Sequence, residues 1–160
     1  MRGHLVLFAA LTLPGCTVNV NVDPEDAPSP LLSQFEPAQV MKVAAEAAGG
    51  SLQQGGGAQG MTRHRGHEFH DRRMSWEVMG EGLDAEAFAV DLRDRLKAGI
   101  EGYVKVEGEG NAIFKEGQGE ALRQFGFTYT TDAVWGWVDV SCVERPGVIV
   151  VALDMHEAQF

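Results

Sequence analysis

Three histidines stand at three-residue steps in RHRGHEFHD, residues 63–71, with Glu68 and Asp71 beside them. Imidazole nitrogens bind zinc and copper well, and His64, His67 and His70 would converge on one ion if this segment were helical or tightly looped. On a strand the geometry fails, because residues three apart, such as His67 and His70, point to opposite faces. Arg63, Arg65, Arg72 and Arg73 crowd the same window and oppose a dication, and no Cys pair or H-E-x-x-H pattern supports a site. The favoured reading is a solvated, charged entry to a strand, so no metal or cofactor is assigned. A metal-binding protein built on His64, His67 and His70 is kept as the alternative.

A nucleophilic site has weaker support. Cys142 can be combined with a histidine and Asp139 or Asp154, but a triad is defined by geometry rather than by composition. Valines flank Cys142 closely, and an apolar setting raises a thiol pKa and makes it inert. Ser141 lacks a G-x-S-x-G frame. Glu107, Glu109, Glu116 and Glu120 line a glycine-rich stretch and read as a solvated loop rather than an acid/base pair. A small hydrolase is therefore the least favoured class. The best binding candidates are Trp135 and Trp137, two apart and so on one face of a strand, with Phe127 or Tyr129 as a cross-strand neighbour. Left uncovered, such a patch suits a protein partner, a second copy of the chain, a peptide or a sugar polymer.

The elements that must position these residues follow from periodicity. Glu36-Pro37 opens a helix whose Val40, Ala44 and Ala47 or Ala48 share a face, and Gly49-Gly50 ends it. SLQQGGGAQG, residues 51–60, reads as a flexible loop. Residues 68–79 alternate as a strand, with His70, Arg72, Met74, Trp76 and Val78 on one side and Phe69, Asp71, Arg73, Ser75 and Glu77 on the other. Asp84 is the expected N-cap of the clearest helix, where Phe88, Leu92, Leu96 and Ile100 recur every four residues. Asp91 and Arg95 on its outer side are spaced as an i,i+4 pair.

A short strand over 103–107 and an acidic glycine-rich loop over 108–119 come next. Then follow three strands over 122–130, 134–143 and 148–155, the last two joined by a turn at Arg145-Pro146-Gly147-Val148. The predicted fold is a two-layer α+β sandwich, an antiparallel sheet of four or five strands with two helices on one face. The other face is expected to carry Trp135, Trp137 and some of Phe125, Phe127 and Tyr129. Either a partner or residues 51–66 and 108–120 would then have to cover it.

Composition narrows the class. The hydrophobic fraction of 44% and charged fraction of 22% are those of a folded domain rather than a disordered chain. A net charge of −10 disfavours nucleic acid and anionic surfaces. The chain begins MRGHLVLFAALTLPGC, with a basic Arg2, an apolar run from Leu5 to Leu13 too short to span a bilayer, and small residues before Cys16. Leu13-Pro14-Gly15-Cys16 resembles the lipobox of bacterial lipoproteins.

That resemblance implies cleavage by signal peptidase II before Cys16 and a diacylglycerol (palmitate-bearing) anchor on its thiol. Residues 1–15 would be the signal peptide, 16–32 a lipidated Cys and Pro/acid-rich tether, and 33–160 a single domain in the cell envelope, facing the periplasm or the exterior. With Thr rather than Asp at position 17, it also implies sorting to the outer rather than the inner membrane. If Cys16 carries lipid, Cys142 has no intramolecular disulfide partner. The class expected overall is a lipid-anchored, non-enzymatic binding or structural protein.

Overall fold

Asp84 starts the longest helix. Its carboxylate accepts hydrogen bonds from the backbone N–H groups of Glu86 and Ala87 at 3.0 and 2.9 Å, satisfying two donors that the first turn leaves open. From there α3 (Ala85–Glu101) buries Phe88, Leu92, Leu96 and Ile100, the stripe expected from their spacing. The Asp91–Arg95 pair forms on its outer side at 2.6 Å. The computed structural model describes residues 30–110, 115–117 and 120–160.

Among the described residues two helices precede α3. Helix α1 spans Pro30–Gln34 and α2 spans Pro37–Ala47, with a proline in the first turn of α2 as expected. Leu31, Leu32 and Phe35 are all buried, so folded structure reaches back past the boundary expected at residue 33. Arg72 fastens this segment to the sheet by donating from Nη1 to the carbonyls of Leu32 at 3.2 Å and Phe35 at 2.8 Å. Gly99 on α3 leaves room for Phe35, since a Cβ there would lie 2.9 Å from the ring.

The strands are β1 (Ser51–His64), β2 (His67–Met79), β3 (Val106–Gly110), β4 (Lys115–Gly117), β5 (Glu120–Thr130), β6 (Val134–Arg145) and β7 (Val148–Gln159). They form one antiparallel sheet in the order β1-β2-β7-β6-β5-β3, with β4 also pairing β5. The α+β class holds, but the described residues contain seven strands and three helices instead of four or five strands and two helices.

Most of the excess comes from segments read as loops. Residues 51–60 belong to β1 because a two-residue turn, Arg65-Gly66, has positive φ at both positions (50° and 87°), the hairpin geometry that matches strand twist. That turn zips the glycine-rich chain onto β2 from His64↔His67 to Ser51↔Met79, interrupted by one irregularity between Gln54 and Gly57. Ladder hydrogen bonds thus override a poor intrinsic strand propensity.

One face of the sheet meets the helices. Trp76, Val78, Val138, Val140, Cys142, Ile149, Val151, Leu153 and Met155 join Phe88, Leu92, Leu96 and Ile100 in a single core. Phe125, Phe127 and Tyr129 belong to this face as well, which corrects the expectation that some of them accompany the tryptophans. The register decides it: Phe125 lies opposite Val140, and Phe127 opposite Val138. Among the described residues no helix is long and apolar enough to cross a membrane. Residues 1–29, with the lipobox-like segment and Cys16, lie outside the described part of the chain.

Candidate functional site

Strand alternation leaves the residues of opposite parity on the face away from the helices. Cross-strand rows order them. Phe69 pairs with Ala158, which pairs with Trp135; Asp71 pairs with His156, then Trp137, then Thr128. The next row runs Arg73, Asp154, Asp139, Gly126, Gly110.

The aromatic residues of these rows form a local cluster. Trp135 and Trp137 lie 5.6 Å apart with planes 30° from parallel, and Phe69 meets each of them edge-on at 5.3 Å. His67 approaches Trp135 at 6.3 Å, and His156 stacks on Trp137 at 4.7 Å. Edge and offset contacts of this kind are the favoured aromatic geometries. They bury Phe69 to 4% exposure with none of the described helices above it, while both tryptophans stay half-buried.

Polar groups hold the cluster in place. The Asp71 carboxylate, an acceptor, takes a 2.7 Å hydrogen bond from Nδ1 of His156, fixing the ring that backs Trp137. Arg73 and Asp154 form an ion pair, and Asp154 by hydrogen bond and charge holds the guanidinium above its usual pKa. Asp139, directly across from Asp154, is exposed and has no partner among the described residues.

Beside Trp137 the face sinks into an open groove of about 520 Å³, bordered by Thr128, Ser141 and Gln124 as well as Asp139. Its floor is low because Gly126 and Gly110 stand opposite each other there. A Cβ on Gly126 would meet the Val138 carbonyl oxygen at 2.7 Å and Asp139 Oδ1 at 2.9 Å.

The other candidates are dispersed. β2 puts His67 on the helix-free face and half-buried His70 on the covered one, while His64 pairs with His67 through the backbone. The three are therefore not gathered around a point, and the described residues contain no group of three or more His, Cys, Asp or Glu able to hold a metal ion. Cys142 lies in the core, where burial pushes its thiol up to about 12 against the opposing pull of the Arg123 charge. Asp139 and Asp154 project from the other side of the sheet, so no triad forms with Cys142. Glu109 is ion-paired with Lys97.

A buried polar pair appears instead on the covered face. The Tyr129 hydroxyl donates to Glu157 at 2.8 Å, and burial together with that carboxylate raises the tyrosine pKa. Gly136 makes the space, since a Cβ there would lie 2.5 Å from the hydroxyl oxygen.

Reading the residues singled out Trp135 and Trp137 but missed the support given by Phe69, Asp71 and His156. The alternation of residues 68–79 already placed Phe69 and Asp71 on one side. What it lacked was the pairing of β2 with β7, a contact across some eighty positions of sequence. Fold and face together define an antiparallel α+β sheet protein covered by helices on one side and carrying an aromatic cluster on the other. The chain matches no known family model and no curated protein.

Proposed function

We propose that this chain is a bacterial lipoprotein, held in the envelope through lipid on Cys16, whose helix-free sheet face takes hold of a partner molecule without catalysing a reaction. The observation that carries the binding half is the pair of half-buried tryptophans, Trp135 and Trp137, braced from below and beside by Phe69 and His156. Apolar aromatic surface held rigidly at the boundary with water is characteristic of recognition sites, because little side-chain freedom is lost on binding. The anchoring half rests on the LPGC segment, residues 13–16, and its location at the outer membrane on Thr17. Two or three acyl chains on one residue anchor stably where one is marginal, each buried methylene contributing about 0.8 kcal/mol.

The two halves are tested separately. Labelled palmitate fed to expressing bacteria is incorporated into the wild-type protein and not into a Cys16→Ser variant, which stays uncleaved or leaves the membrane fraction. Equal labelling of both proteins removes the lipoprotein reading. For the binding half, a photo-crosslinking residue in place of exposed Gln124, which borders the groove beside Trp137, captures a molecule in the intact envelope, whereas the same residue in place of exposed Val90 on α3 does not. No capture at position 124 removes the binding reading.

A further inference from the structure

We infer that the groove beside Trp137 is a saccharide site, taking an uncharged sugar ring with its C–H face against the indole and its hydroxyls donating to Asp139. The inference rests on the reading of the helix-free face as a binding surface and supplies the chemical class of its ligand.

A sugar ring presents apolar C–H faces and a rim of O–H donors, and the groove offers a counterpart to both. Trp137 is the flat apolar wall. Its orientation is set before any ligand arrives, because His156 stacks against it at 4.7 Å and Asp71 holds His156 at 2.7 Å. Preorganisation of this kind lowers the ordering cost of binding. The rim is rich in acceptors. Asp139 has no donor among the described residues, and the Thr128 and Ser141 hydroxyls flank the same space.

Gly110 leaves bare backbone at one side of the groove, and the missing side chain of Gly126 gives room to the Asp139 carboxylate, whose Oδ1 would lie 2.9 Å from a Cβ there. A volume of about 520 Å³ falls within the size range of small-ligand sites. Charge disfavours the competing polymers: unpaired Asp139 and a net charge of −10 repel phosphate and sulfate groups.

The full chain in detergent is titrated with an array of uncharged oligosaccharides, cellohexaose and chitohexaose among them, and with heparin as the anionic control. Tryptophan emission and isothermal calorimetry report binding. At least one uncharged oligosaccharide is expected to bind saturably, with Trp137→Ala and Asp139→Asn each weakening it by about tenfold or more, as loss of an aromatic or polar contact implies. Should Trp137→Ala misfold by circular dichroism, Trp137→Phe and the exposed Asp139→Asn carry the comparison.

Heparin binding in preference to every neutral sugar overturns the inference, as does an array with no neutral ligand. So does binding that both variants leave unchanged. Crosslinking at position 124 separates the two readings. A polypeptide captured there, with no sugar bound in the titrations, overturns the saccharide assignment and leaves the binding face standing; no capture and no sugar overturns both.

Discussion

The two faces of this sheet are built from the same strands and differ in what they do with large side chains. On the covered face Leu153, Val138, Val151 and Met155 are fully buried, and helices α2 and α3 supply the opposing surface. On the other face Phe69 is nearly as buried, but its cover consists of Trp135 and Trp137 lying across it. The first arrangement excludes water by stacking a second layer; the second does so by spending one set of aromatic residues to shelter another. What shelters in the second case is itself in contact with solvent, and so is available to a ligand.

The largest effect that tests this contrast comes from truncating each face in turn. Leu153→Ala should lower stability by about 2–5 kcal/mol in urea denaturation, the usual cost of emptying a core leucine site. Trp137→Ala, although it removes more atoms, should cost less and keep a single cooperative transition. Equal losses would show that the tryptophan face is core and not surface.

A second, smaller effect concerns the buried Tyr129–Glu157 pair. Tyr129→Phe removes the donor and should cost about 1–3 kcal/mol, the penalty for depriving a buried polar group of a partner. Removing the exposed Arg73 from its ion pair with Asp154 on the other face, by Arg73→Ala, should shift the urea midpoint imperceptibly.

The third test uses pH. Burial raises the Cys142 thiol from its ordinary value of 9.0 to about 12, and raises Tyr129 as well. In both cases the folded state holds its proton more tightly than the unfolded chain. The stability linked to Cys142 is therefore fully present below pH 9 and is lost as pH rises from there towards 12. Denaturation midpoints measured from pH 8 to 11 should fall, and Cys142→Ala, though less stable throughout, should fall less steeply. The thiol should also resist alkylation in the folded protein at pH 8 and react on unfolding.

Much of this was legible before any coordinates. Phe88, Leu92, Leu96 and Ile100 declared α3, and Asp84 declared where it starts, because both signals are local. The alternation of β6 and β7 is equally local, as is the Pro146-Gly147 turn, where Gly147 has φ of 74°. β1 was hidden because its glycines carry no side-chain pattern, and its strand state comes from pairing with β2 around Arg65-Gly66. The placement of Phe125, Phe127 and Tyr129 was open to deduction. Thr130 pairs with Trp135 across residues 131–134, and an even-numbered connection sets odd positions of β5 against even positions of β6. That puts the phenylalanines with Val138 and Val140 and away from Trp137. The groove was not legible, since it depends on Gly110 meeting Gly126 across the β3–β5 register.

The position of β7 has a consequence for how the molecule comes together in time. It follows the other described strands in sequence, yet it lies between β2 and β6 and is the one described strand that joins the β1–β2 hairpin to the β5–β6 ribbon in the sheet. A growing chain can form the hairpin, α3 and the ribbon early, but these parts have no common sheet until residues 148–159 arrive. The pairing that joins them spans from Phe69 to Ala158, so loop closure is long and assembly is expected to be slow for a chain of this size. Until then the valines of β6 and the edge of β2 stand open, which is the interval in which the protein is most prone to aggregate and most in need of a chaperone.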